Sequence, residues 1–150
     1  MTPDNVVEKI EEKIGDDYLA LRKQNEKRYY VEIEAASIVE AVQFVYQELE
    51  GRLATITGRD TEAGIQLLYH FGFESGGFFV TLRIILDHES PRVDSIHEVI
   101  PGAAYVEREI SDFLGVKVEN ISDSSKFLKF DGLPDDHYPL RQGGEEPKNE

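Results

Sequence analysis

Two apolar segments joined by a four-residue turn constrain the fold of this chain more than any other feature. Residues 65–73 and 78–86 are rich in aliphatic and aromatic side chains, and Glu74-Ser75-Gly76-Gly77 lies between them. Paired glycines between two strand-like segments are typical of a hairpin turn. The pattern therefore predicts two long paired strands, preceded by a shorter strand near residues 53–58.

A first helix is predicted at the beginning of the sequence. Thr2-Pro3-Asp4 resembles a helix start, because it combines a hydroxyl cap, a proline and an acid near the positive end of the helix dipole. Apolar residues follow at spacings of three and four, and Gly15 is the predicted end. After it, residues 18–21 and 29–33 have strand character, and the polar run 22–28 is interpreted as the turn between them.

A second helix is predicted from Ser37. Ser37 and Glu40 fit a capping box, in which each side chain bonds the other residue's backbone amide, and Gly51 is the predicted terminator. Helices and strands do not alternate strictly, so the predicted class is α+β: a mixed or antiparallel β-sheet with helices packed on one face and an extended C-terminal tail. The predicted division is a compact domain at 1–118 and an extended acidic tail at 119–150.

Composition excludes several kinds of chemistry. The 150 residues include no cysteine, so thiolate-bound zinc, iron–sulfur clusters and a cysteine-ligated nickel site cannot belong to this chain. Sixteen basic residues stand against 30 acidic ones, which gives a net charge of −14 and argues against nucleic-acid binding. No apolar run approaches the roughly 20 residues of a membrane span, and the beginning of the sequence does not resemble a signal peptide. We therefore expect a cytoplasmic protein.

The sequence lacks the common short motifs of catalytic and metal-binding sites. His97-Glu98 would begin a zinc-protease motif, but the position required for the second histidine is Pro101. The four histidines have no helical partners at the spacing of metal ligands, and glycine-rich nucleotide loops and a GxSxG elbow are missing. Acid pairs are most simply solvated charges, although distant carboxylates could still meet in the fold as a hydrolase site.

The segment 103–114 predicts an amphipathic helix that ends at Gly115. Its predicted apolar face contains Val106, Ile110, Phe113 and Leu114, with Arg108 and Asp112 on the opposite face and Glu107 and Glu109 beside the apolar stripe. An Arg108–Asp112 pair on a surface helix would explain this pattern. Contacts from these groups to neighbouring chains would explain it equally well.

Four pieces in order resemble a known family. They are Pro91 with Ser95-Ile96, Pro101-Gly102-Ala103-Ala104, Glu107-Arg108-Glu109 with Asp112-Phe113-Leu114-Gly115-Val116, and Tyr138-Pro139-Leu140-Arg141. Together they resemble the 30 kDa peripheral-arm subunit of respiratory complex I, a family that includes the equivalent subunit of energy-converting membrane-bound NiFe hydrogenases. The stretch 119–125 departs from the histidine and arginine common there, and Tyr105 stands where a tryptophan is frequent nearby, which favours a divergent, hydrogenase-type branch.

The resemblance implies a non-catalytic subunit without cofactor or metal. Its implied partners are the large NiFe-hydrogenase-like (49 kDa-like) subunit and the Fe–S small subunit of a hydrogenase or a quinone-reducing NADH or F420H2 oxidoreductase, on the cytoplasmic face of the membrane. Membrane association would come only through that complex. The residues expected to form the docking region are Glu107, Arg108, Glu109, Asp112, Pro139, Leu140 and Arg141.

Two other functions remain open from the residues themselves. The charge of −14 would suit an acidic regulatory module that occupies a basic surface on another protein. A carboxylate-dependent hydrolase would need acids brought together by the fold in a deep pocket.

Overall fold

The computed structural model describes residues 1–120, and the chain divides into two compact units. The first unit comprises 1–57 and 67–84, and the second comprises 58–66 and the residues from 85 onward. The regular elements are α1 (Pro3–Ile14), β1 (Tyr18–Asn25), β2 (Arg28–Ile33), α2 (Ile38–Gln43), β3 (Arg52–Thr61), β4 (Gly64–Phe73), β5 (Phe78–Leu86), β6 (Arg92–Asp94), α3 (Ala103–Leu114) and β7 (Lys117–Glu119).

The predicted first helix is confirmed. The Thr2 hydroxyl accepts a hydrogen bond from the Asn5 amide at 3.2 Å, and Pro3 stands in the first turn, where its missing N–H is not needed. Gly15 ends α1 with a φ of 69°, in the region that favours glycine. The helix buries one stripe of apolar side chains, Val6, Val7 and Ile10.

The predicted turn over 22–28 is wrong. β1 continues to Asn25, and only Glu26 and Lys27 separate it from β2, with the Asn25 side chain accepting a hydrogen bond from the Lys27 amide at 2.8 Å. β1 is an edge strand whose residues beyond Tyr18 are all exposed. Because neither of its faces is buried there, the strand needs no alternation of polar and apolar residues, and its sequence resembles a loop.

The second helix forms without the predicted capping box. No side-chain cap is present at Ser37, whose hydroxyl instead donates a hydrogen bond to the Asp17 carboxylate at 2.5 Å. α2 ends at Gln43 and continues as a π-helical turn, Phe44–Glu48. Glu50, not Gly51, takes the positive φ of 61° at its end. Gly51 is required for space, because a Cβ there would lie 2.7 Å from a Val45 methyl carbon.

The predicted hairpin and fold class are confirmed. The Gly76 and Gly77 amides both donate to the Phe73 carbonyl, and Gly77 has a φ of 65°. The five-stranded sheet has the order β1-β2-β5-β4-β3, with β1 antiparallel and β5 parallel to β2. The α+β assignment with a mixed sheet is therefore correct.

One face of the sheet provides the core of the first unit. Tyr29, Val31 and Ile33 of β2 are at most 3% exposed, and Val80 and Leu82 of β5 at most 1%. The helices contribute their buried stripes to the same core, which is consistent with a sheet that has helices on one face.

The second unit contains a small parallel sheet and α3. β6 pairs with β7, with Val93 opposite Val118. Its core includes Val93, Ile96, Ile110, Leu114 and Val116. The predicted tail, 119–150, lies outside the described residues except for Glu119 and Asn120. Within residues 1–120, no helix combines the length and apolarity needed to cross a membrane.

Candidate subunit-docking site

The helix expected to carry the docking region forms as predicted. α3 spans Ala103–Leu114, after a turn in which the Ala103 amide donates to Ile100 O and the Ala104 amide donates to Pro101 O. Gly115 closes it with a left-handed φ of 75°, and its amide donates to Ser111 O at 3.1 Å. The prolines and glycines of the motif therefore mark the two ends of the helix.

The predicted distribution of charge around α3 is wrong at two positions. Glu107 is 2% exposed and Asp112 is 3% exposed, although Glu107 was expected beside the apolar stripe and Asp112 on the face opposite to it. For Glu107 the reason lies in the spacing. Together with Ala103, Ile110 and Leu114 it forms a stripe at intervals of four, three and four residues, so the carboxylate enters the interior with the apolar side chains.

Both oxygens of the Glu107 carboxylate accept hydrogen bonds from the segment that follows β6. The Ser95 hydroxyl donates to Oε1 at 2.5 Å, and the backbone amide of Ile96 donates to Oε2 at 2.9 Å. A buried carboxylate is tolerated when its acceptors are satisfied in this way. Glu107 therefore fixes the Ser95-Ile96 segment against the second turn of α3.

His97 completes this cluster from the other side of Ser95. Its backbone amide donates to the Ser95 hydroxyl at 3.0 Å, and its ring Nδ1 lies 2.9 Å from the same oxygen. In a catalytic triad the imidazole stands between the hydroxyl and the carboxylate, so that it can accept the hydroxyl proton. Here the Ser95 hydroxyl stands between the two and directs its proton to Glu107. The arrangement orients a loop and does not activate a nucleophile.

Burial changes the acidity of Glu107. Desolvation raises the pKa of its carboxyl above the usual value, because the charged form loses its hydration. The hydrogen bonds from Ser95 and Ile96 and the nearby His97 oppose this effect by stabilising the charge.

The same cluster is continuous with the small sheet. The Ser95 amide donates to Glu119 O at 2.9 Å, and the Lys117 amide donates to Pro91 O at 2.8 Å. The structure therefore brings together three of the four pieces of the sequence motif, around β6, the turn before α3, and α3 with Val116. The fourth piece, with Pro139, Leu140 and Arg141, lies outside the described residues.

The remaining predicted docking residues differ in accessibility. Arg108 and Glu109 are partly exposed on α3, and Tyr105 on the same helix is 51% exposed. Asp112, like Glu107, is buried. Ser95 belongs to the sequence motif and His97 was considered as a metal ligand, but the bond from Ser95 to Glu107 and the bonds between Ser95 and His97 were not predicted. The signal that could have found them was the place of Glu107 in the apolar stripe.

The histidines of the described part take ordinary hydrogen-bonding roles. His70 lies between Thr57 Oγ1 at 2.8 Å and Thr81 Oγ1 at 2.9 Å. His88 Nε2 bonds the buried Asp60 carboxylate at 2.5 Å. Within residues 1–120, no cluster of three or more histidine or acidic side chains is arranged to hold a metal ion.

Two solved structures share this α+β fold. A chain of the membrane-bound sulfane sulfur reductase, an archaeal respiratory membrane complex, aligns with a TM-score of 0.79 and 24% identity over 92% of this chain and 82% of that chain. The trypsin-resistant fragment of Nqo5 aligns with a TM-score of 0.68 and 21% identity over 82% and 99% of the two chains. At these identities the likeness shows the fold alone.

Comparison of the sequence with known families shows the family of the chain in addition to its fold. The family model for the 30 kDa subunit of respiratory-chain NADH dehydrogenase matches residues 31–148, which include the Ser95–Glu107 cluster and α3. This chain therefore belongs to the complex I 30 kDa subunit family. The family resemblance of the four motif pieces is confirmed.

Curated relatives come from hydrogenases and from an NADH-quinone oxidoreductase. Formate hydrogenlyase subunit 5 of Escherichia coli K12 is 27% identical over 88% of this chain and 26% of its own length. Hydrogenase-4 component G of the same organism is 24% identical over 80% and 22%. An NADH-quinone oxidoreductase subunit of Moorella thermoacetica is 32% identical over 60% and 61%. The chain thus spans about a quarter of the length of the two hydrogenase relatives.

Proposed function

We propose that this chain is a non-catalytic, cofactor-free subunit of a complex-I-like redox complex, and specifically of the hydrogenase type. It docks on the large catalytic subunit and on the Fe–S small subunit, and reaches the cytoplasmic face of the membrane only through them. Its role is to hold the surface of the large subunit in one arrangement, because electron transfer depends on fixed distances between sites.

The observation that carries this proposal is the Ser95–Glu107 cluster. Polar residues of the family motif direct their hydrogen bonds inward, where they fix a loop, a helix and a strand relative to one another. A rigid surface loses little conformational entropy when a partner binds, so this use of polar groups suits a docking element. Similarity to a formate hydrogenlyase subunit and to a hydrogenase component supports the hydrogenase-type assignment.

The proposed contact surface is α3, with Arg108 and Glu109 partly exposed and Asp112 buried. Pro139, Leu140 and Arg141 are proposed to belong to the same surface. An extended segment on a partner would explain why residues 119–150 contain so few apolar side chains.

Co-purification from solubilised native membranes tests this function. The tagged full chain is expected to retain a large hydrogenase-like subunit and an Fe–S subunit, and to retain them in about 0.5 M salt, as a large and partly apolar interface should. An acidic regulatory module would instead lose its partner at that salt concentration. Recovery of the chain as a free monomer, or turnover of a small molecule by the purified chain alone, would overturn the proposal.

Charge reversal on α3 tests the surface. Arg108→Glu and Glu109→Lys should each lower recovery of the large subunit about tenfold. Glu8→Lys, on the exposed side of α1, makes the same change of charge as Glu109→Lys and should leave recovery unchanged. Thermal unfolding of each free variant separates lost docking from lost folding. Undiminished recovery with both α3 variants would remove this helix from the interface.

A further inference from the structure

The sheet of the first unit has a second face, which the helices do not use. In β2, Tyr29, Val31 and Ile33 are buried on the helix side, so Arg28, Tyr30 and Glu32 point to the opposite face. The parallel register continues this outer face onto β5, with Phe79 beside Arg28, Thr81 beside Tyr30 and Arg83 beside Glu32.

This outer face carries positive charge in a strongly acidic chain. Arg22 lies opposite Tyr30 on β1 and therefore shares the face with Arg28 and Arg83. Glu32 pairs with Arg83 at 2.7 Å and neutralises it. Among residues 1–120, no carboxylate lies within ion-pair distance of Arg22 or Arg28. Within that described part of the chain, two arginines of this face thus have no carboxylate at ion-pair distance, and the chain has a net charge of −14.

An apolar pocket of about 330 Å³ lies next to Arg28 on this face. Leu53, Gly72 and Phe79 contribute to its lining, and the Arg52–Glu74 ion pair, at 2.8 Å, stands among its lining residues. The position of Gly72 leaves the pocket open, since a Cβ there would already lie 3.3 Å from the Phe79 ring. A pocket of this size accommodates one bulky apolar side chain.

Arg28 contacts the pocket lining through Phe79. Its guanidinium lies 4.9 Å from the centroid of the Phe79 ring, in a cation–π contact. The ring therefore orients the charge before any ligand arrives, which reduces the entropy lost on binding. The pocket and the guanidinium together present an apolar cavity beside a fixed positive group.

We propose that this outer-face pocket binds a segment of a partner subunit in which a bulky apolar side chain stands next to a carboxylate. The apolar side chain enters the pocket between Leu53 and Phe79, and the carboxylate pairs with Arg28. Charge complementarity selects this occupant, because Arg22 and Arg28, which have no ion-pair partner among residues 1–120, attract an acid at short range. A chain with a charge of −14 instead repels the extended charge of nucleic acid or an anionic membrane. The inference rests on the proposed function for the existence of a partner.

Charge reversal tests the proposed ion pair between Arg28 and the partner's carboxylate. The variants are made in the full chain, which is purified with its partners from the native host. Arg28→Glu is expected to lower recovery of one partner subunit at least about tenfold, and to reduce the salt dependence of the remaining binding. Lys9→Glu, on an exposed position of α1, changes the net charge equally and is expected to leave recovery unchanged.

A pair of leucine variants tests the proposed apolar contact in the pocket. Leu53→Asp places a negative charge at the pocket and should lower recovery of the same subunit about tenfold. Leu19→Asp makes the same substitution on the exposed edge strand β1, away from the pocket lining, and should have no effect. Thermal unfolding of the free variants identifies any that fail to fold.

Protection of an introduced thiol from chemical labelling tests the contact surface independently, because it does not depend on a variant that loses binding. Because the chain has no cysteine, a single introduced thiol on it reports one position. Maleimide labelling of Thr55→Cys, at an exposed position of β3, should slow at least about tenfold in the complex relative to the free chain. Ala36→Cys, at an exposed position of the first unit, is the control for labelling conditions.

The outcomes separate this inference from the proposed function. If redox subunits are recovered equally with Arg28→Glu and Leu53→Asp, and Thr55→Cys labels as fast in the complex as in the free chain, the inference is overturned and the proposed function stands. If the wild-type chain brings down no redox subunit, the proposed function fails. If the free chain forms a dimer that Arg28→Glu dissociates, a second copy is the occupant and the inference is overturned.

Discussion

The Ser95 hydroxyl donates a hydrogen bond to the Glu107 carboxylate, with 2.5 Å between the oxygens, and so joins the segment after β6 to the second turn of α3. The Ile96 amide donates to the other carboxylate oxygen. Two parts of the sequence motif that are separated along the chain therefore act as one structural unit. This relationship gives the motif a physical meaning that its sequence alone does not express.

Ser95 and Glu107 should be energetically coupled. Ser95→Ala and Glu107→Gln are each expected to lower the free energy of unfolding by about 1–3 kcal/mol, because each leaves a buried polar group without its partner. The decrease in the free energy of unfolding of the double variant should be smaller than the sum of the two single decreases, with a coupling energy of about 0.5–3 kcal/mol. Chemical denaturation of the four proteins measures this. Strict additivity would show that the bond contributes nothing to stability.

The raised pKa of Glu107 predicts a pH dependence of stability. Between the usual pKa and the raised pKa of the folded state, the folded protein binds more protons than the unfolded protein at this carboxyl. The stability it contributes is therefore fully present below the usual pKa, and is lost as the pH rises through the pKa of the folded state.

Denaturation of the wild type and Glu107→Gln from about pH 4 to about pH 8 tests this expectation. The wild type minus variant difference in unfolding free energy should decrease as the pH rises. A Glu107→Gln difference that increases with pH would contradict the raised pKa.

His70 should titrate below an ordinary histidine. Burial lowers its pKa, and the positive charge of Arg28 lowers it further. Its contribution to stability is present above the usual pKa and is lost as the pH falls through the lowered value. NMR titration of the ring should show this shift, and Arg28→Gln should move the pKa partly back toward the usual value. Arg22→Gln, on the same face of the sheet, is the control, because Arg28 is the charge that lowers the pKa of His70. An unchanged His70 titration with Arg28→Gln would disprove the electrostatic contribution.

Two glycines with positive φ should respond differently to substitution. Gly77 has a φ of 65° and open space around the position of a Cβ. Gly77→Ala should lower the free energy of unfolding by about 1–2 kcal/mol, from backbone strain alone. Gly64, with a φ of 148°, has Leu86 O 2.3 Å from the position of a Cβ. Gly64→Ala should therefore lower the unfolding free energy more than Gly77→Ala does. Thermal and chemical unfolding compare the two, and equal losses would show that the contact with Leu86 relaxes without penalty.

The sequence predicted features that depend on neighbouring residues. The bounds of α1 follow from Thr2 and Gly15, and the end of α3 follows from Gly115, because caps and turns are decided within a few residues. The hairpin at Gly76-Gly77 and the mixed α+β class were predictable for the same reason. The family could also be recognised, since its motif consists of four short local patterns that occur in a fixed order along the chain.

Tertiary structure decided which polar groups are buried and what they bind. Ser37 bonds Asp17 and not the backbone amide of a capping box, and β1 extends through a polar run that lacks strand periodicity. Burial of Glu107 depends on donors from Ser95 and Ile96, which the fold supplies from outside the helix. A charged side chain enters a core only where such donors meet it, and their arrival depends on how distant segments pack. The sequence alone therefore determined the family and those elements whose ends are set by local caps and turns, whereas packing determined the extent of β1 and the site.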